Sequence, residues 1–197
     1  MSKGQLTREY ILNQGFEQAS IQGLESLTIG SLASACDMSK SGLFAHFHSR
    51  DNLQIAVLEH AAEVFRDRVI QPVRRQQHPS QGEKLTALLQ AWLAWNQSFA
   101  GRCMFLDAWT SAQEGAVQQA ARQLVRFWLD YLARQVVQGQ EQGEWRGDLD
   151  PWRAVYRLYG LYLGDQVFGA LGLCQDPGQH FWPEVAALLA SWRAHSA

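Results

Sequence analysis

The sequence predicts an all-α protein, and two observations carry that prediction. Apolar side chains recur every three or four residues along nearly the whole chain, whereas the alternation typical of β-strands is absent. Polar runs with glycine or proline separate the periodic segments, most clearly "PVRRQQHPSQG" at 72–82. With 197 residues, 47% of them hydrophobic, the chain can bury a substantial core.

Composition excludes several classes of protein. The hydrophobic content is too high for a disordered chain, and no segment sustains the roughly 18 uninterrupted apolar residues that a membrane span needs. The opening "MSKGQLTREY" has no secretory apolar run, so we expect a cytoplasmic protein without membrane contact. Cys36, Cys103 and Cys174 are widely separated, which favours reduced thiols over a disulfide or metal site. The formal net charge of −2 does not by itself indicate nucleic acid binding.

The first predicted helix covers residues 7–19 and ends before Gly23, a plausible C-terminal stop. Two very short helical patterns follow in "TIGSLASACDMSKSGLFAHFHSRDNL". Thr28 precedes one and Ser39 precedes the other, and hydroxyl residues in these positions are typical helix N-caps. Only "CDM" lies between them. A turn this tight needs one residue near positive φ, and Asp37 tolerates that conformation.

A longer helix is predicted from Asp51, its expected N-cap, to Pro72. Further helices are expected near 83–99, 104–112, 116–141, 151–173 and 180–194. Asp150 should cap the helix that carries Pro151 in its first turn.

Helices as short as those after Thr28 and Ser39 are not stable alone in water. A helix-turn-helix is an arrangement in which two short helices of this kind have a function. A helix in the major groove needs only its first turns to meet base edges, while the preceding helix braces it across the backbone. The stretch "SKSGLFAHF" supplies Ser39 as cap, Lys40 and Ser41 on the leading turn, and Gly42 for close backbone approach. His46 and His48 are two residues apart, the wrong spacing for two metal ligands on one helix face.

The stretch from about Arg8 to Leu53 resembles the N-terminal domain of the tetracycline-repressor-like (TetR) family of bacterial transcriptional regulators. The resemblance rests on an amphipathic first helix, a hydroxyl-capped second helix, and "SKxxLxxHF" followed by a basic residue. It implies an all-helical homodimer with a three-helix DNA-binding domain at 1–52 (motif 28–47) and a ligand-binding and dimerisation domain at 53–197. The implied partners are a double-stranded operator, a small-molecule inducer and a second copy of the chain; no cofactor is implied.

The resemblance also implies roles for individual residues. Thr28 would cap its helix and touch phosphate, Lys40 and Ser41 would face the groove, and His46 would approach the DNA backbone. Phe44 stands where the family usually has tyrosine, which leaves ring packing against a sugar or a thymine methyl. The full set of expected DNA contacts is Thr28, Ser39, Lys40, Ser41, Gly42, Phe44, His46 and Arg50. Arg50 replaces the usual lysine and keeps the phosphate-binding charge, and Asp37 replaces the usual turn glycine and should face away from DNA.

All eight tryptophans lie in the C-terminal part, and two interpretations stay open for them. Aromatic stripes at helical spacing are usually core. A small-molecule cavity would nevertheless need such a mixture of aromatic and polar groups. The candidate pocket residues are Trp92, Trp95, Asn96, Asp107, Trp109, Trp128 and Tyr131.

The segment 151–173 is apolar on nearly all sides and interspersed with glycine, so it needs cover on two faces. By resemblance, this helix and the one at 180–194 would form a four-helix dimer interface; an internal helix hairpin is the alternative. The candidate interface residues are Tyr159, Tyr162, Gln166, Trp182, Val185, Leu189 and Trp192.

Together these features predict a repressor that a small apolar or aromatic inducer releases from a palindromic operator. The helix from Asp51 is expected to carry the coupling, because it alone would belong to both parts. A helical small-molecule-binding protein with weak or lost DNA binding is the alternative, motivated by Phe44 and Asp37. Catalysis is not expected, since "GRCMFLDAW" offers only Cys103 and Asp107 without a histidine nearby.

Overall fold

A computed structural model describes residues 3–97, 114–174, 176 and 178–194. Within these ranges the chain is helical and contains no β-strand, as the periodicity predicts. The helix expected at 104–112 lies outside the described residues, as do Cys103, Asp107 and Trp109.

The helices are numbered in chain order. They are α1 (Lys3–Gln22), α2 (Ile29–Ala35), α3 (Lys40–Phe47), α4 (Arg50–Phe65), α5 (Gln71–Arg75), α6 (Gln81–Gln97), α7 (Ala116–Glu141), α8 (Pro151–Ala170) and α9 (Phe181–Ala190). A 3₁₀ turn at Leu24–Ser26 precedes α2, and a π turn at Arg66–Ile70 joins α4 to α5.

Two of the predicted local conformations are confirmed. Gly23 has φ 84° and its N–H donates to the Ala19 carbonyl at 2.9 Å, which ends α1. Asp37 has φ 54°, and the Met38 N–H donates to the Ala33 carbonyl at 2.9 Å, which closes the turn between α2 and α3. His48, at φ 63°, ends α3 in the same left-handed conformation without a glycine.

The expected ends of the fourth helix are wrong in two respects. Its N-cap is Ser49, whose hydroxyl accepts from the Asn52 N–H at 3.0 Å; Asp51 lies in the first turn, where its charge favours the helix N-terminus. The helix also passes Pro72. The Gln71 N–H bonds to the Arg66 carbonyl five residues earlier, and this wider turn accommodates a proline that lacks an N–H and clashes with a regular α-helix.

The C-terminal helices begin as expected but end sooner. The Asp150 carboxylate caps α8, accepting from the N–H groups of Trp152 at 2.8 Å and Arg153 at 3.0 Å, as predicted. The chain leaves α9 after Ala190, and the Trp192 carbonyl then accepts from the Arg146 N–H at 2.9 Å.

The chain forms two compact units, Met1–Pro72 with Ala91–Arg126, and Val73–Gln90 with Phe127–Ala197. In the first unit, apolar residues of α1 to α4 share one core with Val117 and Ala121 of α7, and Trp95 of α6 packs against it. The expectation that the fourth helix alone joins the DNA-reading part to the rest is therefore wrong. Local periodicity shows which face of a helix is apolar, but not which distant helix covers it.

The core of the second unit is built around two tryptophans. The indoles of Trp145 and Trp192 meet edge to face, with ring centroids 5.4 Å apart. Gly139 of α7 makes room for Trp145, because a Cβ on this glycine would overlap the indole. Both tryptophans are buried, so this cluster fixes the end of α7 against the segment after α9.

Candidate nucleic-acid interface

The two short helices are capped by the hydroxyls that the sequence predicts. Thr28 Oγ1 accepts from the Ser31 N–H, and Ser31 Oγ accepts from the Thr28 N–H, both at 3.0 Å, which forms a capping box. Ser39 Oγ accepts from the Gly42 N–H at 3.1 Å. The side chains of Thr28 and Ser39 are exposed, so these helix starts face solvent.

One side of α3 anchors the helix and the other side is open. Leu43 and Phe47 are buried in the core of the first unit, with 0% and 2% of their surface exposed. Lys40, Ser41 and Phe44 are exposed, and half of the Phe44 surface is accessible to solvent. An exposed phenylalanine beside a lysine and a hydroxyl is the kind of mixed surface that can meet base edges and thymine methyl groups.

The Lys40 side chain extends from α3 toward the start of α2. Its end occupies the space beside Gly30, in the first turn of α2. The position that a Cβ of residue 30 would take lies 3.3 Å from Lys40 Cε, 3.6 Å from Lys40 Nζ and 3.9 Å from Thr28 Oγ1. The ammonium therefore lies beside the first turn of α2, and the Thr28 hydroxyl borders the same space next to Gly30. A cation, a hydroxyl and a helix start together suit a DNA phosphate.

Gly42 and His46 occupy less exposed positions on α3. A Cβ on Gly42 would approach Ser39 Oγ to 3.1 Å, so the glycine leaves room for the cap. Its expected close approach to DNA stays a prediction. His46 is half-buried, and its ring is tilted against that of Phe47 with centroids 6.2 Å apart.

Arg50 donates three hydrogen bonds to the turn that precedes Thr28. Its Nη2 donates at 2.7 Å both to the Glu25 carbonyl and to Glu25 Oε2, and its Nε donates to the Leu27 carbonyl at 3.1 Å. The buried Gln54 amide adds a bond to the Leu24 carbonyl at 3.0 Å. The start of α4 thus holds the turn that precedes Thr28. Sequence reasoning missed this role, because Arg50 and Glu25 are far apart in the chain and share no periodic pattern.

Sequence reasoning also missed a second cation near the recognition helix. The Arg8 guanidinium lies over the ring of Phe47, 5.3 Å from its centroid, and the side chain is exposed. This cation–π contact brings a positive charge from α1 to the end of α3. Only the three-dimensional structure reveals the contact.

The candidate pocket residues divide between the two units. In the first unit Trp92 and Asn96 are buried, while half-buried Trp95 stacks on Phe16 with centroids 5.8 Å apart and meets Phe65 edge-on at 5.9 Å. In the second unit Trp128 and Tyr131 stack with centroids 5.9 Å apart. Asp107 and Trp109 lie outside the described residues.

The candidate interface residues differ in how much surface they offer. Tyr162, Val185 and Trp192 are buried within the protomer. Tyr159, Gln166, Trp182 and Leu189 are half-buried. On α8 and in the turn after it, the exposed large apolar side chains are Trp152, Tyr156, Val167, Phe168, Leu171 and Leu173.

Two further features concern metals and membranes. Over the described ranges, no three histidine, cysteine, aspartate or glutamate side chains come together in a way that could hold a metal ion. None of the helices in this part of the chain combines the length and the apolar character needed to cross a bilayer.

Comparison with known proteins matches both parts of the sequence. Residues 11–57 match the tetR family of bacterial regulatory proteins, and residues 82–181 match the tetracyclin repressor-like C-terminal domain. A search of curated proteins finds no significant match.

Solved structures share the fold over nearly the full length. A TetR-family transcriptional regulator from Cytophaga hutchinsonii superposes with a TM-score of 0.86 at 16% identity, covering 100% of this chain and 99% of that one. One from Chloroflexus aurantiacus J-10-FL gives 0.83 at 21% identity, with 98% of both chains covered. AibR, in complex with isovaleryl coenzyme A and operator DNA, gives 0.62 at 17% identity, covering 95% of this chain and 98% of that one.

A capped helix-turn-helix with an exposed recognition face, joined to a larger helical part, defines a transcriptional regulator with a DNA-binding domain. The second of the two family matches spans half of the sequence by itself, and the chain belongs to the TetR family.

Proposed function

We propose that the protein is a homodimeric repressor that binds a palindromic operator and leaves it when a small apolar or aromatic inducer binds. The observation that carries this proposal is the exposed face made by the start of α2 and the leading turn of α3. Residues 1–52 would read DNA in the cytoplasm, and residues 53–197 would bind the inducer and the second subunit.

In this proposal phosphate and base contacts come from different parts of the face. Lys40 and Thr28 hold a phosphate, because the ammonium and the Thr28 hydroxyl both border the space beside Gly30 at the start of α2. Ser41 and Phe44 project from α3 and meet base edges. The complex of AibR with operator DNA supports this use of the fold.

Arg50 has a positioning role in the proposal. A guanidinium that donates to two backbone carbonyls and a carboxylate of its own protein has most of its hydrogen-bonding capacity occupied. It fixes the turn before Thr28, and through that turn the phosphate site. The charge expected from Arg50 at the DNA is largely balanced by Glu25, and the exposed Arg8 guanidinium is a second cation that could meet phosphate.

The second subunit covers the exposed apolar side chains of α8. Val167 and Phe168 are 55% and 50% exposed, and Leu171 just beyond the helix is 66% exposed. Large apolar side chains that are left exposed three and four positions apart are typical of an interface. Isologous pairing of α8 and α9 about a twofold axis would give the dimer two copies of α3 related by that axis, as a palindromic operator requires.

Release from the operator requires a link between the effector part and the DNA-reading helices. Trp95 near the end of α6 stacks on Phe16 of α1, and Val117 and Ala121 of α7 lie in the same core. An inducer that favours another position of α6 or α7 would therefore move the packing beneath α1 and α4. Only the difference in its affinity for the two positions shifts the equilibrium.

Footprinting on the DNA upstream of the chain's own coding sequence tests the proposal. We expect protection of two half-sites related by a dyad, with centres about 10 base pairs or a small multiple apart. Val167→Asp should abolish the paired footprint by separating the subunits, whereas Val137→Asp, at an exposed valine on α7, should preserve it. Uniform protection without half-sites would contradict binding to a palindromic operator, and no protection at all would favour a ligand-binding protein that has lost DNA binding.

A further inference from the structure

A cluster of positive charge lies in the second unit. Arg74 is at the end of α5, Lys84 is in α6 and Arg134 is in α7. We call these three residues the cationic cluster. Within the described part of the chain, no carboxylate lies within ion-pairing distance of any of them.

Contacts between α6 and α7 bring the cluster together. Arg134 lies over the ring of Tyr131, 5.8 Å from its centroid. Lys84 Nζ donates to Gln138 Oε1 at 3.5 Å, and the Gln81 amide donates to the same oxygen at 2.9 Å. Because residues 131, 134 and 138 are three and four positions apart, they share one face of α7, and α6 lies against that face.

Arg74 acts on both sides of this arrangement. Burial and the nearby Arg74 charge lower the pKa of Lys84, which is only half-exposed. Burial raises the pKa of Tyr131, and the charges of Arg74 and Arg134 partly oppose that rise. Lys84 and Tyr131 therefore both lie in the field of Arg74, and the like charges of Arg74 and Lys84 repel one another.

The carboxylate beside the start of α6 is already bonded to the backbone. Glu144 accepts from the backbone N–H groups of Gln81 at 2.6 Å and Gly82 at 2.9 Å, so it caps α6. Among the residues that the structure describes, none forms a hydrogen bond with the Tyr131 hydroxyl or the Gln138 amide nitrogen, so both are available as neutral donors to a ligand.

We propose a binding site for the phosphate group of a small molecule, formed by three cations and two neutral donors: Arg74, Lys84, Arg134, Tyr131 and Gln138. A phosphate group carries a charge of about −1.5 to −2 and three acceptor oxygens. It therefore matches a site with several cations better than a ligand with one carboxylate group would. Arginine forks add bidentate geometry for its oxygens. The site shares no residue with the proposed operator contacts, and, resting on the proposed function, it gives the effector part a preference for phosphorylated ligands.

Thermal unfolding in inorganic phosphate tests the site without DNA, so its outcome does not depend on operator binding. Against chloride of matched ionic strength, phosphate should raise the melting temperature in a saturable way, and acetate should do so far less. Arg134→Gln and Lys84→Gln should each weaken phosphate binding at least tenfold by calorimetry. Arg193→Gln, the same change of charge at an exposed arginine outside the cluster, should retain binding.

Two results would overturn the proposal. Equal stabilisation of all variants, or equal effects of acetate and phosphate, would mean a general salt effect. A loss of affinity for non-operator duplex in Arg134→Gln, measured without phosphate, would assign the cluster to the DNA backbone. Arg134 is exposed, so its variant should fold even if Lys84→Gln does not.

Discussion

The guanidinium of Arg50 and the carboxylate of Glu25 are 2.7 Å apart and join the start of α4 to the turn before α2. The same guanidinium holds the carbonyls of Glu25 and Leu27. Thr28, the cap of α2, follows directly. The geometry of the proposed DNA-phosphate contact at Thr28 and Lys40 therefore depends on Arg50, which does not itself need to reach DNA.

Arg50→Ala should weaken operator binding by displacing this turn, while the salt dependence of binding stays nearly constant. Each lost phosphate contact would instead lower the log–log slope of affinity against salt by about 0.9. Titration at several salt concentrations distinguishes the two roles. Arg66→Ala, which removes an exposed arginine beside Asp67, is the matched control and should change neither quantity. If the log–log slope of affinity against salt instead falls by about 0.9 in Arg50→Ala, Arg50 itself contacts a DNA phosphate.

Gly139→Ala should destabilise the second unit, because its Cβ would overlap the buried indole of Trp145. Overpacking of this kind costs about 1–3 kcal/mol in the free energy of unfolding. Gly147→Ala is the control, since a Cβ there meets nothing within 4 Å. Urea unfolding of both variants measures the difference; equal stability would show that Trp145 can repack freely.

Glu144→Ala should also lower the free energy of unfolding. Its carboxylate accepts from two N–H groups at the start of α6, and such charge-assisted bonds contribute about 1.5–3 kcal/mol. Glu141→Ala, at an exposed glutamate one turn earlier, serves as control. If the two variants unfold at the same urea concentration, water accepts from the N–H groups at the start of α6 as well as the Glu144 carboxylate does.

His60 should make the first unit less stable in mild acid. Its Nε2 donates to Asn13 Oδ1 at 2.8 Å, and burial lowers its pKa from 6.5, although Glu63 and Glu9 act in the opposite direction. As the pH falls through 6.5 the unfolded chain binds a proton more readily than the folded one, so stability decreases until the folded pKa is passed. His60→Gln should flatten the pH profile of unfolding between neutrality and mild acid, and an unchanged profile would assign the acid sensitivity to other groups.

Local features of the fold were predictable from the sequence because they depend on neighbouring residues. The caps Thr28, Ser39 and Asp150 and the left-handed Asp37 follow from short-range hydrogen bonding and φ preferences. Ser49 was missed as a cap because Asp51, two residues later, is an equally good candidate in the same polar run. Periodicity alone does not choose between adjacent caps.

Contacts between distant segments were not predictable in the same way. A tryptophan at helical spacing packs somewhere, but only the fold places Trp95 on Phe16. Arg50 is compatible with either a phosphate or a carboxylate partner, and Glu25 gives no signal in its own surroundings. The cationic cluster likewise arises from three helices whose charges look ordinary when each is considered alone.

If the start of α2 and the face of α3 bind DNA, with Lys40 on a phosphate, Lys40→Ala should change the salt dependence of operator affinity. Fluorescence anisotropy measures this dependence for the wild type and Lys40→Ala. We predict a linear fall of log affinity with log salt in the wild type, a slope smaller by about 0.9 in Lys40→Ala, and unchanged discrimination between base pairs. Equal affinity of the wild type for the upstream duplex and a shuffled one, with no effect of Lys40→Ala, would show that this face does not bind the operator.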